Sequence, residues 1–422
     1  MSDTMTNPHA NLAPTAAQKF RTRILPFILF ALVLIVIPFF GPSRTTLNLL
    51  NAIGINIVFA LSFNMLLGRA GLLTFGHAVY LGLGGYFCVH VLNWIADGTG
   101  LWGSIPVFFL PIFGFMAGAA AGAVIGWPSC KRAGTPFAMI SLGVAELVAA
   151  AGFMFDSLFG GEEGISGDRM SGPEFLGLSL GPVGDVYWFI AFWTFVGVAG
   201  MYAFTRTPLG KLSEATRDNA ERVQFVGFSP TKVRYLVFIF AGAFAGMAGG
   251  MSAVNYEIFT PISLSLIPSG FVLIMAYIGG IRYFAGPIVG AILLTYMQTN
   301  LSDYSEAWLL YLGILFIAVV MFAPWGVSGV MMSVWHGLTG NNRDEALKKI
   351  AAVTAGGLLL LVGIIIVVEV AIRWSTNSFE AFEPFGMHMS HDSVLTWIIA
   401  AVFLGAGTGV FYWLSRDKEA GA

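Results

Sequence analysis

Charge is scarce in this sequence: only 10% of its 422 residues are Asp, Glu, Lys or Arg, and the formal net charge is −2. Without a basic excess to neutralise a phosphate backbone, nothing supports nucleic-acid binding. Cysteine is nearly absent. Cys88 and Cys130 stand far apart, each in or beside an apolar run, which excludes a disulfide framework and a thiolate metal cluster. No G-x4-G-K-[ST] phosphate loop occurs, since Gly210-Lys211 lacks the upstream glycine and is followed by Leu212. No acid–base pair, nucleophile set or metal set stands within the apolar runs, so an enzyme is not expected.

What the chain has instead is hydrophobic length. Hydrophobic residues make up 57%, mean hydropathy is +0.79, and apolar runs of spanning length recur. The chain reads as an all-α polytopic membrane protein. Taking runs of about twenty apolar residues as helices that cross a core roughly 30 Å thick, we expect twelve spans. They lie at 24–40, 47–67, 72–96, 101–127, 135–155, 187–205, 235–256, 262–280, 284–301, 307–323, 351–372 and 393–415. The first ten form the core and the last two a C-terminal addition. Lys19, Arg21 and Arg23 before the first run resemble a signal peptide, but Gly41-Pro42-Ser43-Arg44 is no cleavage site, so the run is expected to be retained. The glycines of 72–96 make that span a candidate for a break. Residues 1–23 are expected to be a disordered cytoplasmic tail.

Loop charges give an independent check on orientation. Arg69, Lys131-Arg132, Arg206 to Arg234, Arg282, Arg343 to Lys349 and Arg416-Lys418 fall on one side, with both termini. The other side receives Asp156, Glu162, Glu163, Asp168, Glu174, Asp185, Asp303, Glu306, Glu380, Glu383 and Asp392. Both termini are therefore expected in the cytoplasm. Glycines recur every fourth residue at Gly118, Gly122 and Gly126, at Gly242, Gly246 and Gly250, and at Gly286 and Gly290. This spacing strips side chains from one helix face and predicts close helix packing. Trp94, Trp102, Trp188, Trp308 and Trp397 read as interfacial anchors.

One stretch, Thr207 to Phe238, is a charged island between apolar segments, and the loop 206–234 carries Glu214, Ala215, Arg217, Asn219, Glu221, Arg222, Val223 and Gly227. Asp218 with Glu221 has the pattern of a capping box. Gly227 suits the left-handed end of a short helix, and Ser229-Pro230 the start of another. A short helix from Asn219 to Val226 is predicted, with Ala220, Val223 and Val226 on one face. Such a helix fits a groove of a cytosolic partner; the alternative is a helix resting on lipid headgroups.

Asn64-Met65-Leu66-Leu67-Gly68-Arg69-Ala70-Gly71-Leu72-Leu73-Thr74-Phe75-Gly76-His77-Ala78 resembles a signature of the permease subunits of branched-chain amino acid ABC importers, the LivH/LivM family, in its LivM type. Pro136 to Leu142, Gly160-Gly161 with Gly164-Ile165, Thr207 to Gly227, Gly279-Gly280 with Gly286-Pro287, and Phe322 to Gly326 follow in the family's order. The resemblance covers about residues 47–332. It implies an inner-membrane subunit with residues 24–332 as the permease domain and 206–234 as the local form of the EAA coupling loop. Its implied partners are separate ATPase subunits, a second homologous permease chain and an extracytoplasmic solute-binding protein. No cofactor would be bound by this chain; the partners would use ATP.

Several residues stand outside that loop. Glu146 lies mid-span, where an ionisable group must face protein, water or a partner, and is a candidate for path lining or for a buried structural role. His77, without a second histidine nearby, is a candidate for path lining or a structural place at a helix break. Asn56 and Asn64 are candidates for bonds between helices, Asn64 also for path lining, and Asn300 is expected near an interface. Glu162 and Glu163 lie in an acidic turn that the resemblance makes a candidate contact for the binding protein. Residues 333–422 depart from the family pattern. The family's default solutes are branched-chain amino acids, with urea and short amides as alternatives. An ion-coupled secondary transporter remains open as a different class, with Glu146 and the 72–96 glycines in its favour.

Overall fold

The computed structural model of the chain describes residues 16–40, 43–98, 102–175, 177–302, 307–323 and 325–339, with parts of 356–368 and 397–409. Two compact units divide it, residues 1–296 and 297–422. In the first unit, α1 (Ala16–Phe40), α2 (Arg44–Asn64), α3 (Ala78–Ala96), α4 (Leu110–Ser129) and α5 (Thr135–Met154) are followed by the single turn α6 (Asp156–Phe159) and by α7 (Val183–Arg206). The charged island forms α8 (Pro208–Asp218) and α9 (Ala220–Phe225), and α10 (Pro230–Tyr256), α11 (Leu266–Gly279) and α12 (Gly286–Tyr296) complete the unit. The helix α1 begins inside the stretch expected as an unstructured tail.

The long helix α10 sits at the centre, buried without interruption from Ala241 to Val254. Its glycines explain how. A Cβ on Gly246 would come within 2.8 Å of the Gly118 Cα, and a Cβ on Gly84 of α3 within 2.5 Å of the Gly246 Cα. Three backbones thus meet where the four-residue glycine spacing removed the side chains, and Gly114, Gly118, Gly122 and Gly126 are the buried face of α4. Polar side chains tie the helices to one another. Asn51 Nδ2 donates to Asn255 Oδ1 at 3.1 Å, and Asn56 Nδ2 donates to Thr295 Oγ1 at 2.9 Å, the interhelical role expected of Asn56. Outside, α1 leans on α7 through the Tyr187 hydroxyl, which donates to the Leu34 carbonyl at 2.6 Å.

The loop after α5 is pinned rather than free. Ile165–Ser166 (β1) pairs antiparallel with Ile258–Phe259 (β2). The Arg169 guanidinium donates to the Val254, Asn255 and Gly181 carbonyls at 3.2–3.4 Å, capping the end of α10, while its backbone N–H donates to Glu257.

Among the described residues six helices are long and apolar enough to cross a membrane: Arg44–Ala70, Ala78–Ala96, Val107–Ser129, Thr135–Met154, Val183–Arg206 and Pro230–Tyr256. In the second unit, α13 (Trp308–Phe322) and α14 (Gly326–Thr339) make a seventh if the 57° bend between them is taken as a break in one span. The twelve expected spans are therefore not all met among the described residues. The clearest shortfall is the α11–α12 pair. With 14 and 11 residues these helices rise about 21 Å and about 16 Å, α12 running on into a π turn over Met297–Leu301, and the Gly280 φ of 108° turns the chain between them. Described parts of the expected spans 351–372 and 393–415 are helical, and Ile366 packs there against Ile399 and Phe403. The acidic segments around Asp303, Glu306, Glu380, Glu383 and Asp392 lie outside the described residues.

Replacing Gly246 with Val should lower the unfolding free energy in detergent by about 1–3 kcal/mol or prevent a monodisperse product. Gly143→Ala, where a Cβ meets nothing within 4 Å, should leave stability unchanged; thermal unfolding of the purified chain checks both.

Candidate functional site

The site is built where α2 stops being an α-helix. From Met65 to Ala70 the chain forms a π turn, Gly71 takes φ of 68°, and residues 71–77 are non-helical until α3 starts. The expected break in 72–96 is thus present at its start. Freed backbone groups find side-chain partners, as they must in a low-dielectric interior. The Phe75 N–H donates to Ser141 Oγ of α5 at 3.1 Å, the Gly76 N–H to Thr74 Oγ1 at 3.2 Å, and the Ala78 N–H to Ser269 Oγ of α11 at 2.9 Å.

His77 closes this segment and is fully buried. The Ser62 hydroxyl donates to the Phe59 carbonyl at 2.7 Å, so the ring donates to Ser62 Oγ through Nε2 at 2.8 Å. Phe59 stacks on the imidazole, and Phe63 and Tyr80 meet it edge-on. Its Nδ1 finds no partner among the described residues. Asn64 is buried too, but its Oδ1 is likewise unpartnered, so the interhelical bond expected of it is not formed there.

The charged island docks against the π turn. Thr207 caps α8 by accepting from the Gly210 N–H at 3.1 Å, with Pro208 at the first helical position. Gly210, Ser213 and Thr216 are its buried face, which turns Glu214 and Arg217 toward α2. Glu214 forms an ion pair with Arg69 and a second, at 3.1 Å, with Lys211. Arg217 donates to the Gly68 carbonyl and to Asp218 Oδ1 at 3.0 Å. A Cβ on Gly71 would meet the Arg217 Cγ at 2.8 Å, so the arginine stem lies on that glycine. Arg69 is the residue that the sequence did not single out for this role; its partner lies far along the chain, and no local spacing signals the pair.

Next comes an elbow. Asn219 is extended, with φ of −157°, and its Oδ1 accepts from the Arg222 N–H at 2.8 Å. Asn219, not Asp218, is therefore the cap, because Asp218 ends α8 and pairs with Arg217. The helix is Ala220–Phe225, shorter than the expected Asn219–Val226. It closes as predicted at Gly227, whose φ is 94°. The Gly227 N–H donates to the Gln224 carbonyl at 2.9 Å and the Phe228 N–H to the Val223 carbonyl at 3.2 Å, the paired bonds of a Schellman turn. Ser229 then caps α10.

The expected apolar face divides. Val223 is buried, whereas Val226 is 70% exposed alongside Phe225 at 90% and Phe228 at 47%. In so short a helix the two caps, rather than helical periodicity, set which side chains point outward. Beside this knob runs an open groove of about 510 Å³, lined by Glu221, Gln224, Phe228, Thr231 and Arg234 among others. Ala215, Glu221 and Arg222 are exposed around it.

The remaining candidates lie elsewhere. Glu162 and Glu163 are exposed on a 3-10 turn, Gly161–Glu163, in the loop pinned by Arg169. Glu146 is exposed on α5, on the side away from its packed face, so a buried structural role does not apply within this chain. Among the described residues no group of three or more His, Cys, Asp or Glu side chains could hold a metal ion.

Comparison with known proteins places this architecture. Residues 45–323 match the family model described as the permease component of branched-chain amino acid transport systems. The chain is 29% identical over 322 residues to the high-affinity branched-chain amino acid transport system permease protein LivM of Escherichia coli K12, covering 71% of this chain and 74% of that one. It is 27% identical over 323 residues to the protein of the same name in Salmonella typhimurium LT2, with the same coverage. It is 23% identical over 320 residues to a probable branched-chain amino acid transport permease protein LivM of Methanocaldococcus jannaschii, covering 65% of this chain and 90% of that one. No solved structure matches the chain.

Reversing either charge of the buried-edge pair, Arg69→Glu or Glu214→Arg, should destabilise the folded chain, and the double reversal should recover most of the loss. Denaturant titration in detergent should give a coupling energy of about 1–2 kcal/mol; additive single effects would show that the pair is not made.

Proposed function

We propose, for a chain that belongs to the family of permease components of branched-chain amino acid transport systems, that it is the membrane-spanning subunit of an ATP-driven importer of branched-chain amino acids in the inner membrane. The α8–α9 elbow is the coupling element, facing the cytoplasm, and it docks into a groove of a separate ATPase subunit. One observation carries this reading: Phe225, Val226 and Phe228 form an exposed apolar knob on a turn held rigid by side-chain and backbone caps at both ends. A rigid knob loses little freedom on docking, and buried aromatics dominate such contacts. The charges of Glu221 and Arg222 supply the polar rim.

The internal bonds supply the transmission. ATPase closure displaces the elbow; Glu214 and Arg217 carry the displacement to Arg69 and Gly68; the π turn passes it to residues 71–77 and to the helices α5 and α11 that hold them. The bundle is the two-state element that this biases between outward and inward access. A second, homologous permease chain completes the path, and an extracytoplasmic solute-binding protein delivers the solute to the side of Glu162 and Glu163, where the Arg169 clamp keeps the docking loop in shape. ATP is bound and hydrolysed by the partners and not by this chain.

Purification of the tagged chain from its host in mild detergent should recover ATPase subunits and a second permease in defined stoichiometry. Phe225→Asp and Gly227→Pro should abolish ATPase recovery while leaving membrane insertion intact, and Glu214→Lys should do so by releasing the elbow from α2. A homogeneous chain that carries no ATPase would contradict the importer.

A further inference from the structure

Glu146 is the twelfth residue of the 20-residue helix α5, about 16 Å from its start and about 12 Å from its end, and so near mid-depth of a core roughly 30 Å thick. The helix buries one narrow stripe, Phe137, Ser141, Ala145, Ala149 and Gly152. Glu146 lies off this stripe, exposed with Met139 at 74%, Leu147 at 70% and Met154 at 76%. Gly143, one turn before it, has open space where a Cβ would stand. Among the described residues no basic side chain pairs with this carboxylate. An unpaired carboxylate at that depth is not accommodated by hydrocarbon; it faces water or a cation.

The inner stripe of the same helix leans on the unwound segment. Ser141 Oγ holds the Phe75 N–H at 3.1 Å, and a Cβ on Gly76 would come within 3.0 Å of the Ala145 Cβ. Glu146 thus sits one residue beyond the contact through which the segment 71–77 bears on α5, and a shift of that segment moves the carboxylate.

Resting on the importer reading above, we infer that Glu146 lines the water-filled translocation path and meets the α-ammonium group of the amino acid in transit. The charge suits a zwitterionic solute, whose cationic end it pairs, and offers nothing comparable to urea or a short amide, which carry no cation. A carboxylate that moves with the coupling segment can hold the ammonium in one state and release it in the other.

The test uses the assembled importer in proteoliposomes. Both native cysteines are buried, and burial pushes the Cys130 thiol up to about 12, so they remain silent toward thiol reagents. Glu146→Cys should react with a charged, membrane-impermeant methanethiosulfonate about tenfold faster than Leu29→Cys on the outward face of α1, and leucine supplied with its binding protein should slow it. Reaction only with a lipid-soluble maleimide, or none, overturns path lining. Glu146→Gln should cut the maximal leucine uptake rate by about tenfold at an unchanged half-saturating concentration, since first recognition belongs to the binding protein, and Glu146→Asp should retain most of the rate. Uptake by Glu146→Gln equal to that of the unaltered importer overturns the ammonium contact and leaves the importer reading standing. Failure of the unaltered importer to carry any amino acid contradicts the reading itself, and is seen before any variant is made.

Discussion

The chain cannot leave an α-helix inside a membrane without giving the released backbone groups new partners, and this constraint organises the half of the molecule that matters for function. At Met65–Ala70 the second helix loosens into a π turn, and the following seven residues are non-helical. Ser141, Ser269 and Thr74 take up the N–H groups, and Arg217 takes the Gly68 carbonyl. The arginine is the consequential one, because it comes from the charged island. In the bond from Arg217 to the Gly68 carbonyl, repair of the helix break and docking of the island coincide.

That shared bond links surface to interior. The elbow is capped at both ends, through Asn219 and the Schellman turn at Gly227, and Phe225, Val226 and Phe228 project from it between exposed charges. Its inner surface is ionic, with Glu214 held between Arg69 and Lys211. Between Phe225 and the break lie two capped helices and the Arg217–Gly68 and Glu214–Arg69 contacts. Behind the break, α10 meets α3 and α4 by glycine-to-glycine backbone contact, and α5 and α11 hold the unwound segment through Ser141 and Ser269.

Much of this was legible from residue spacing. Four-residue glycine repeats marked the α4–α10 contact because a helix presents every fourth residue on one face. Ser229-Pro230 and Gly227 marked their caps because those residues have local conformational reasons to be there. The glycines of 72–96 marked the break poorly, since Gly82, Gly84 and Gly85 sit inside the continuous helix α3 and only Gly76 lies in the unwound segment. Legibility ended where the determinants were distant. The Arg69–Glu214 pair joins residues from separate elements, and the serines that satisfy the unwound segment look like any other serines in an apolar run. Asp218 and Asn219 both suited a cap, and only the pairing of Asp218 with Arg217 decided between them. Val226 and Val223 shared a predicted face, yet the turn sent one out and the other in. Hydropathy also marked two spans at α11 and α12, and composition does not reveal their short lengths or the glycine turn at Gly280 between them.

The central claim is that the elbow meets an ATPase and not a lipid surface, and a photoactivatable cross-linker placed at Phe225 in the native membrane tests it most directly. The account predicts a single adduct with an ATPase subunit, changed in yield when ATP is trapped. Adducts with lipid alone, indifferent to nucleotide, would contradict it.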